Sequence, residues 1–417
     1  MRAKSSFDYY LVNLNLANII VGYVFFVSIF MPFTSNEVHS SQLVTVPYRI
    51  FSLLLSLAVL LLSIKWSVKV TLAAKIFMLF WAAFLLRMYY DLEIRTDFFV
   101  FDDFKRRIWS ISIGSCLMPM VSIMRSRHKL DLDFCFKIVY GALFIAMLTS
   151  FSFLTKTEVG TRETGNAAID PITFSLSGCS LFLMGLYKII TVRNLRRSHQ
   201  IAYCLGASLG LFLALKTGSR GPFLGLMLIL VIWYGFASKR GSFWFLGMMA
   251  LTFFLKDFVI QAISLVSPFI GKRISLAIVG EDHSMLARQE SYRWFFDKII
   301  EFPVLGSQFA RLGNGTYPGY AHNIFLDVSI GLGFFGLGVF CYCVGKSFSN
   351  FKQDFLRESS FWIYLVGALH LFLSFSSGAF YSNPPLNGVF ILALLGTQRI
   401  IKRRISYVVS KNPNPSK

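Results

Sequence analysis

Apolar runs of some 16–22 residues recur along the whole chain, separated mostly by short polar segments. Each run is long enough to cross a hydrocarbon core, which takes about 20 helical residues. Backbone amides in lipid must find their partners internally, so the runs are read as helices. The pattern predicts spans at 11–31, 48–64, 71–90, 108–124, 134–154, 171–190, 200–216, 222–237, 242–260, 324–345, 360–378 and 386–400. This is an all-α polytopic integral membrane fold with about twelve transmembrane helices, a single transmembrane domain over residues 1–417. One long connection interrupts the rhythm, a large loop at 261–323. Its aromatic and apolar content predicts ordered, short amphipathic helices rather than disorder.

Composition sharpens this picture. The chain is 55% hydrophobic and only 15% charged, against about 25% charged in soluble domains. A net charge of +20 would suit a nucleic-acid partner if it formed one soluble face. Here Lys and Arg sit instead in short alternate connections, among them Lys65/Lys69, Arg125/Arg127/Lys129, Arg193/Arg196/Arg197, Lys239/Arg240 and Lys346/Lys352/Arg357. No nucleic-acid partner is expected. By the positive-inside rule that set, with both basic termini, is cytoplasmic. The opposite set holds most acids, including Glu37, Asp91, Asp97, Asp102, Glu163 and Asp170. The expected location is a bacterial inner membrane, multi-pass, with both termini cytoplasmic and the active face periplasmic. Met1-Arg2-Ala3-Lys4 runs into the first apolar stretch without a small-residue cleavage site, which predicts an uncleaved span. The six cysteines fall in or beside spans without metal-ligand spacing and read as small apolar fillers.

Four outside segments hold candidate chemistry. Within the large loop, Leu286 to Phe302 reads as an amphipathic helix ended by Pro303, with Tyr292, Phe295, Phe296, Ile299 and Ile300 on one stripe. Arg288 shares that stripe and has no acid three or four residues away, whereas Arg293 has Glu290 and Asp297 within reach. A guanidinium on an apolar face calls for an anion, and its fork suits phosphate. Thr217-Gly218-Ser219-Arg220-Gly221-Pro222 forms a tight outside turn, and no Asp or Glu occurs from 171 to 256. Arg220 therefore lacks a counter-ion nearby in sequence, Lys216 adds charge, and the glycines permit close ligand approach. His322-Asn323 ends the large loop, where a neutral imidazole is suited to act as a general base. Arg162, in the loop leading to Asp170-Pro171, is a weaker ligand candidate beside Glu163. The stretch Asp91 to Asp103 is read as a solvated loop, and Asp131-Leu132-Asp133 as the polar start of a span.

The order of these pieces resembles the O-antigen polymerase and O-antigen ligase superfamily of bacterial inner membranes, the Wzy-type polymerases and their ligase relatives. Four segments carry the resemblance: Arg162-x-x-Gly165 with Asp170-Pro171, Gly218-Ser219-Arg220-Gly221, Arg288 to Trp294 followed by Pro303-Val304-Leu305-Gly306, and His322-Asn323-x-x-Leu326 with Gly333 and Gly336. They cover roughly 162–336, and Gly331 stands where the family often has a glutamate. The resemblance implies a metal-independent glycosyltransferase that uses undecaprenyl-diphosphate-linked oligosaccharides and needs no cofactor. It assigns Arg220 and Arg288 to the diphosphate, and His322 to the acceptor position, as general base or as a donor to the diphosphate. It offers Arg162, Arg273, Arg293, Tyr292, Trp294, Asn323 and Ser219 as substrate contacts. Membrane lipid and a chain-length regulator protein are the further partners it suggests. Three functions remain open: an O-antigen (surface polysaccharide) polymerase, a ligase that transfers the glycan to lipid A core, and a lipid-linked sugar flippase or transporter. A flippase should line a central lumen with cations, whereas the arginines without an acid nearby in sequence gather here at the outside mouth.

Overall fold

The apolar runs fold as helices whose outward faces stay apolar. Leu54, Leu79, Leu86, Leu205 and Phe335 are all exposed on helical surfaces, as expected where the surrounding solvent is lipid. The computed structural model describes residues 7–30, 40–64, 66, 68–152, 155–156, 163–164, 169–192, 195–237, 275–276, 283–313, 319–354 and 361–396. Through these residues the helices are α1 (Phe7–Val21), α2 (Val24–Phe30), α3 (Ser40–Ser63), α4 (Leu72–Tyr89), α5 (Asp102–Trp109), α6 (Met118–Ser126) and α7 (Leu132–Ser152). They continue as α8 (Pro171–Thr191), α9 (Arg197–Lys216), α10 (Arg220–Ala237), α11 (His283–Glu301), α12 (Ile324–Asp354), α13 (Phe361–Leu373) and α14 (Pro384–Leu395). π-Helical turns at Tyr90–Ile94 and Ser110–Leu117 extend α4 and join α5 to α6. The described strands are a two-residue antiparallel pair, Thr155–Lys156 with Glu163–Thr164.

Seven of the described helical segments are long and apolar enough to cross a membrane, or eight if α1 and α2, bent by 83°, count as one span. Three more apolar helices, at Arg220–Tyr234, Phe361–Leu373 and Pro384–Leu395, are shorter. The expected span at 242–260 lies outside the described residues.

Close packing of small residues joins α8 to α9. A side chain at Gly178 would meet the carbonyl of Gly210, and one at Gly210 the carbonyl of Gly178. This is the small-residue interface that lets two helices approach in lipid. Between α1 and α7, Asp131 takes the hydroxyl of Tyr9 at 2.8 Å and the Phe134 amide at 3.2 Å. The short Asp-x-Asp segment is thus a helix start tied to the first span.

At the start of α12, Gly331 lets the helix approach Phe84 of α4, where a Cβ would come within 3.0 Å of the ring, while Gly333 serves a loop. Gly333 has φ 65° and ψ −167°, a conformation essentially reserved for glycine. That break frees the Ile330 carbonyl to accept from Ser307 at 2.8 Å, and the Phe334 amide to donate to Pro303 at 2.7 Å. A Cβ at Gly333 would collide with the Val304 carbonyl. Gly338, by contrast, has no described atom within 4 Å of a built Cβ and makes no close packing there. Gly333→Ala is expected to lower the thermal unfolding midpoint in detergent, since the backbone strain alone costs on the order of 1–3 kcal/mol. An unchanged midpoint would show that the loop is not seated on this glycine.

Candidate active site

Three separate stretches of chain meet beside the N-terminal ends of α10 and α12. The first is the turn between α9 and α10. Thr217 donates its hydroxyl to the Ala214 carbonyl at 2.8 Å and accepts the Ser219 amide at 3.2 Å. With Gly218 at φ 68°, this reverses the chain and starts α10 at Arg220. The second is the entry to α12. Asn323 caps that helix, its side-chain oxygen accepting from Phe325 at 3.0 Å and Leu326 at 3.4 Å. Asp327 accepts the Ala321 amide at 2.8 Å. Between these two anchors His322 adopts φ 57°, and no other non-glycine residue among those described has a positive φ. Strain of this kind collects where structure fixes a side chain for a task.

The third stretch is α11 with the loop that follows it. Phe295 and Ile299 bury themselves against Ala321 and Ile330, which turns Arg288 and Ser291 towards the α9–α10 turn. Phe296 and Ile300, expected on the same stripe, are exposed, so the buried face is narrower than the sequence pattern. The loop after α11 is held from the far side of the molecule. Asp91, with a fully buried carboxylate, accepts the Phe309 amide at 2.7 Å and the Arg87 guanidinium at 3.0 Å. Arg95 reaches the Ser307 carbonyl at 3.2 Å. The acidic stretch is therefore not wholly a solvated loop, since its first member is a buried strut. Two residues beyond Phe309, Arg311 pairs through its backbone with Gly319 and lays its guanidinium over Trp294, 5.2 Å from the ring centroid.

These stretches enclose a cavity of about 390 Å³ lined by Arg220, Arg288, Arg311, Ser219, Ser291 and His322, and closed by Tyr320 and Ser377 among others. Three arginines and no carboxylate are among the described residues that line this space. The Ser219 hydroxyl and Nδ1 of His322 are buried without a hydrogen-bond partner among the described residues. Buried polar atoms are nearly always satisfied, so both suit a polar ligand. Burial, and then the charge of Arg288, lower the pKa of His322. Tyr320 is shifted upwards by burial, as is Tyr292, so both stay protonated. The arrangement is suited to hold a polyanion beside a neutral imidazole. Among the described residues no group of three or more His, Cys, Asp and Glu is placed to hold a metal ion.

Of the residues singled out in the sequence, the structure brings Ser219, Arg220, Arg288 and His322 together. Arg293 is exposed, makes no ion pair among the described residues and does not line the cavity. Tyr292 packs beside the site, Trp294 supports Arg311, and Asn323 is a helix cap, so none of the three lines the cavity. Arg162 and Arg273 lie outside the described residues. Sequence reasoning missed Arg311, although no acid occurs from 302 to 326 and the criterion that selected Arg220 applies equally to it. Ser376 and Ser377 carried no signal at all. Asp91→Ala should leave the Phe309 amide unsatisfied, at a cost of about 1–3 kcal/mol, and loosen Arg311. The expected outcome is a lower unfolding midpoint together with weaker pyrophosphate binding, read by calorimetry. Normal values of both would remove Asp91 from this role.

Comparison with known proteins gives a family match. Residues 205–341 match the family described as O-Antigen ligase, a segment that contains Ser219, Arg220, Arg288, Arg311 and His322. No curated protein and no solved structure matches the chain. The match supports the O-antigen polymerase/ligase superfamily, which implies in general a glycosyltransferase-type membrane enzyme acting on lipid-linked polysaccharide.

Proposed function

We propose, with that superfamily match as premise, that this chain is a surface-polysaccharide polymerase of a bacterial inner membrane. It moves a growing undecaprenyl-diphosphate-linked glycan onto another lipid-linked repeat unit at the periplasmic face, without a metal ion. The observation that carries this reading is the cavity whose described lining brings Arg220, Arg288 and Arg311 together with His322. Ser219, Arg288, Arg311, Tyr320 and His322 among its lining come from connections that the charge pattern assigns to the outside. Nucleotide sugars are not available there, so a lipid diphosphate must supply the leaving group.

In the proposed step an acceptor hydroxyl attacks the anomeric carbon of the donor glycan. The new glycosidic C–O bond forms as the bond from that carbon to the diphosphate breaks. Undecaprenyl diphosphate leaves with the electron pair. Arginine forks bind its oxygens and stabilise the charge that develops on them. His322, kept neutral by burial and by Arg288, takes the proton of the attacking hydroxyl.

The ligase reading has its own support, since the matched family is described as O-Antigen ligase. The two share a donor and differ in acceptor. Lipopolysaccharide from a strain lacking the gene separates them. Core plus a single repeat unit, with the ladder lost, means polymerase. Loss of every band above the core, with long glycan accumulating on undecaprenyl diphosphate, means ligase. An unchanged ladder would overturn both.

A further inference from the structure

Helix α11 has three faces, and the packing around the arginine cavity accounts for one of them. Phe295 and Ile299 are buried against Ala321 and Ile330, on the side that carries Arg288 and Ser291 to the cavity. Arg293, Asp297 and Glu301 form an exposed polar face. Between the two, one turn apart, stand Phe296 and Ile300, which are apolar and yet exposed, Ile300 at 74%. The apolar surface continues past the end of the helix through Phe302, Val304 at 66% and Leu305 at 72%. A surface in water has little reason to gather so many large apolar side chains. A helix with an apolar flank beside a charged one suits the boundary between lipid and water.

The surroundings of this flank identify its partner. The turn at Pro303–Leu305 is seated on the break in α12. There the Phe334 amide donates to the Pro303 carbonyl at 2.7 Å, and the Ser307 and Gln308 amides donate to the Ile330 carbonyl at 2.8 and 3.2 Å. The Phe302 amide donates back to the Lys298 carbonyl at 3.1 Å, and Pro303 has no amide hydrogen to satisfy. These backbone groups are paired within the protein, as contact with lipid requires. Just beyond the break Phe334 and Phe335 are also exposed, and they belong to the apolar span Ile324–Asn350. The flank and the turn are therefore continuous with the lipid-facing surface of a membrane-crossing helix. Depth agrees with this. From Gly333 to Asn350 α12 rises about 26 Å at about 1.5 Å per residue, less than a hydrocarbon core about 30 Å thick. With Lys346 and Lys352 at the cytoplasmic end, the break and the turn seated on it fall just inside the outer boundary.

We propose that the flank of Phe296 and Ile300, with the turn from Phe302 to Leu305, inserts into the outer leaflet, so that α11 is an interfacial helix held by lipid acyl chains. The inference needs only the membrane orientation read from the charges and is independent of the transfer reaction. Its consequence for the site is one of height. Arg288 and Ser291 stand on the same helix, so the leaflet fixes where they sit relative to the lipid headgroups.

The test begins with wild-type protein in liposomes of phosphatidylethanolamine and phosphatidylglycerol that contain a lipid with a diazirine in its acyl chain. After illumination, mass spectrometry should find lipid adducts between Phe296 and Leu305, as it should at the reference pair Phe334 and Phe335. Spin labels then measure depth. They are attached in the single variants Ile300→Cys, Val304→Cys, Leu305→Cys, Arg293→Cys and Asp297→Cys, with the two exposed cysteines, Cys204 and Cys341, changed to serine. Power saturation of the labels at Ile300, Val304 and Leu305 should show frequent collision with oxygen, little with water-soluble nickel-EDDA, and a depth of about 5–10 Å into the headgroup and acyl boundary. At Arg293 and Asp297 nickel should prevail. Nickel collision at Val304 and Leu305 as frequent as at Arg293 overturns the inference. So does wild-type protein that takes up lipid adducts at Phe334 and Phe335 but none between Phe296 and Leu305. Labels shielded from both oxygen and nickel would mean that a protein partner or a second copy covers the flank, and would overturn it as well. The photolabelling uses no substitution, so a variant that fails to fold leaves the inference open to refutation.

Discussion

Replacing Arg288 with alanine is expected to reduce glycan transfer by roughly 10²–10³-fold, the range seen when one donor is removed from a preorganised oxyanion-binding site. The reason lies in the cavity's charge. Its described lining includes Arg220, Arg288 and Arg311 and no carboxylate, a set of donors suited to an anionic ligand. The leaving diphosphate gains charge as the sugar bond breaks, and a donor fixed in place stabilises that gain more than it stabilises bound substrate. Arg288→Lys should recover only part of the rate, because an ammonium keeps the charge and loses the two-point fork. Arg220→Ala should behave like Arg288→Ala, and the double variant should lose less than the product of the two, as neighbours in one site do. Arg293→Ala serves as the contrast. Its exposed side chain stands outside the cavity, and its rate should stay within about twofold, as for surface substitutions away from a site. The measurement is polymerisation of purified lipid-linked repeat units, run beside complementation of the polysaccharide ladder. Arg288→Ala retaining near-wild-type transfer would remove the diphosphate from this cavity.

The helices were legible because lipid imposes a simple rule on backbone and side chains. Apolar runs of bilayer length have few alternatives to helix, and the predicted ends mostly fall within a few residues of those observed. What the hydrophobic pattern could not reveal is where helices stop being helical inside the bundle. The break at Gly22–Tyr23, the π-helical turn at Ser110–Leu117 and the early end of α13 at Leu373 all occur within apolar sequence. They arise from tertiary contacts that hydropathy does not encode. The same limit governs the site. Arg220, Arg288 and His322 stood out because each is a polar group with no partner nearby in sequence. Asp91 was misjudged because its partners at Phe309 are more than 200 positions away, and a carboxylate among other acids looks solvated. Trp294 and Asn323 were singled out as substrate contacts, yet their neighbours in space are Arg311 and the first turn of α12.

His322 should be required for transfer and should set its acid limit. His322→Ala is expected to cost about 10²–10⁴-fold, the usual contribution of a positioned general base. Burial, followed by the nearby charge of Arg288, lowers its pKa, so the imidazole resists protonation and stays competent below its ordinary value near 6.5. Transfer rate against pH should therefore hold its plateau past that value and fall only at lower pH. In Arg288→Gln one of the two causes is gone. The residual activity should then show an acid limb displaced upwards, towards the ordinary imidazole value. Linkage gives stability the same direction. The unfolded chain takes up the proton more readily than the folded one, so this histidine's contribution is complete above about 6.5 and is lost as pH falls from there towards the folded-state pKa. A merely structural histidine would affect the unfolding midpoint but leave the shape of the rate profile untouched. An acid limb that stays in place in Arg288→Gln, or that persists unchanged in His322→Ala, would assign the titration to another group and take the role of base away from His322.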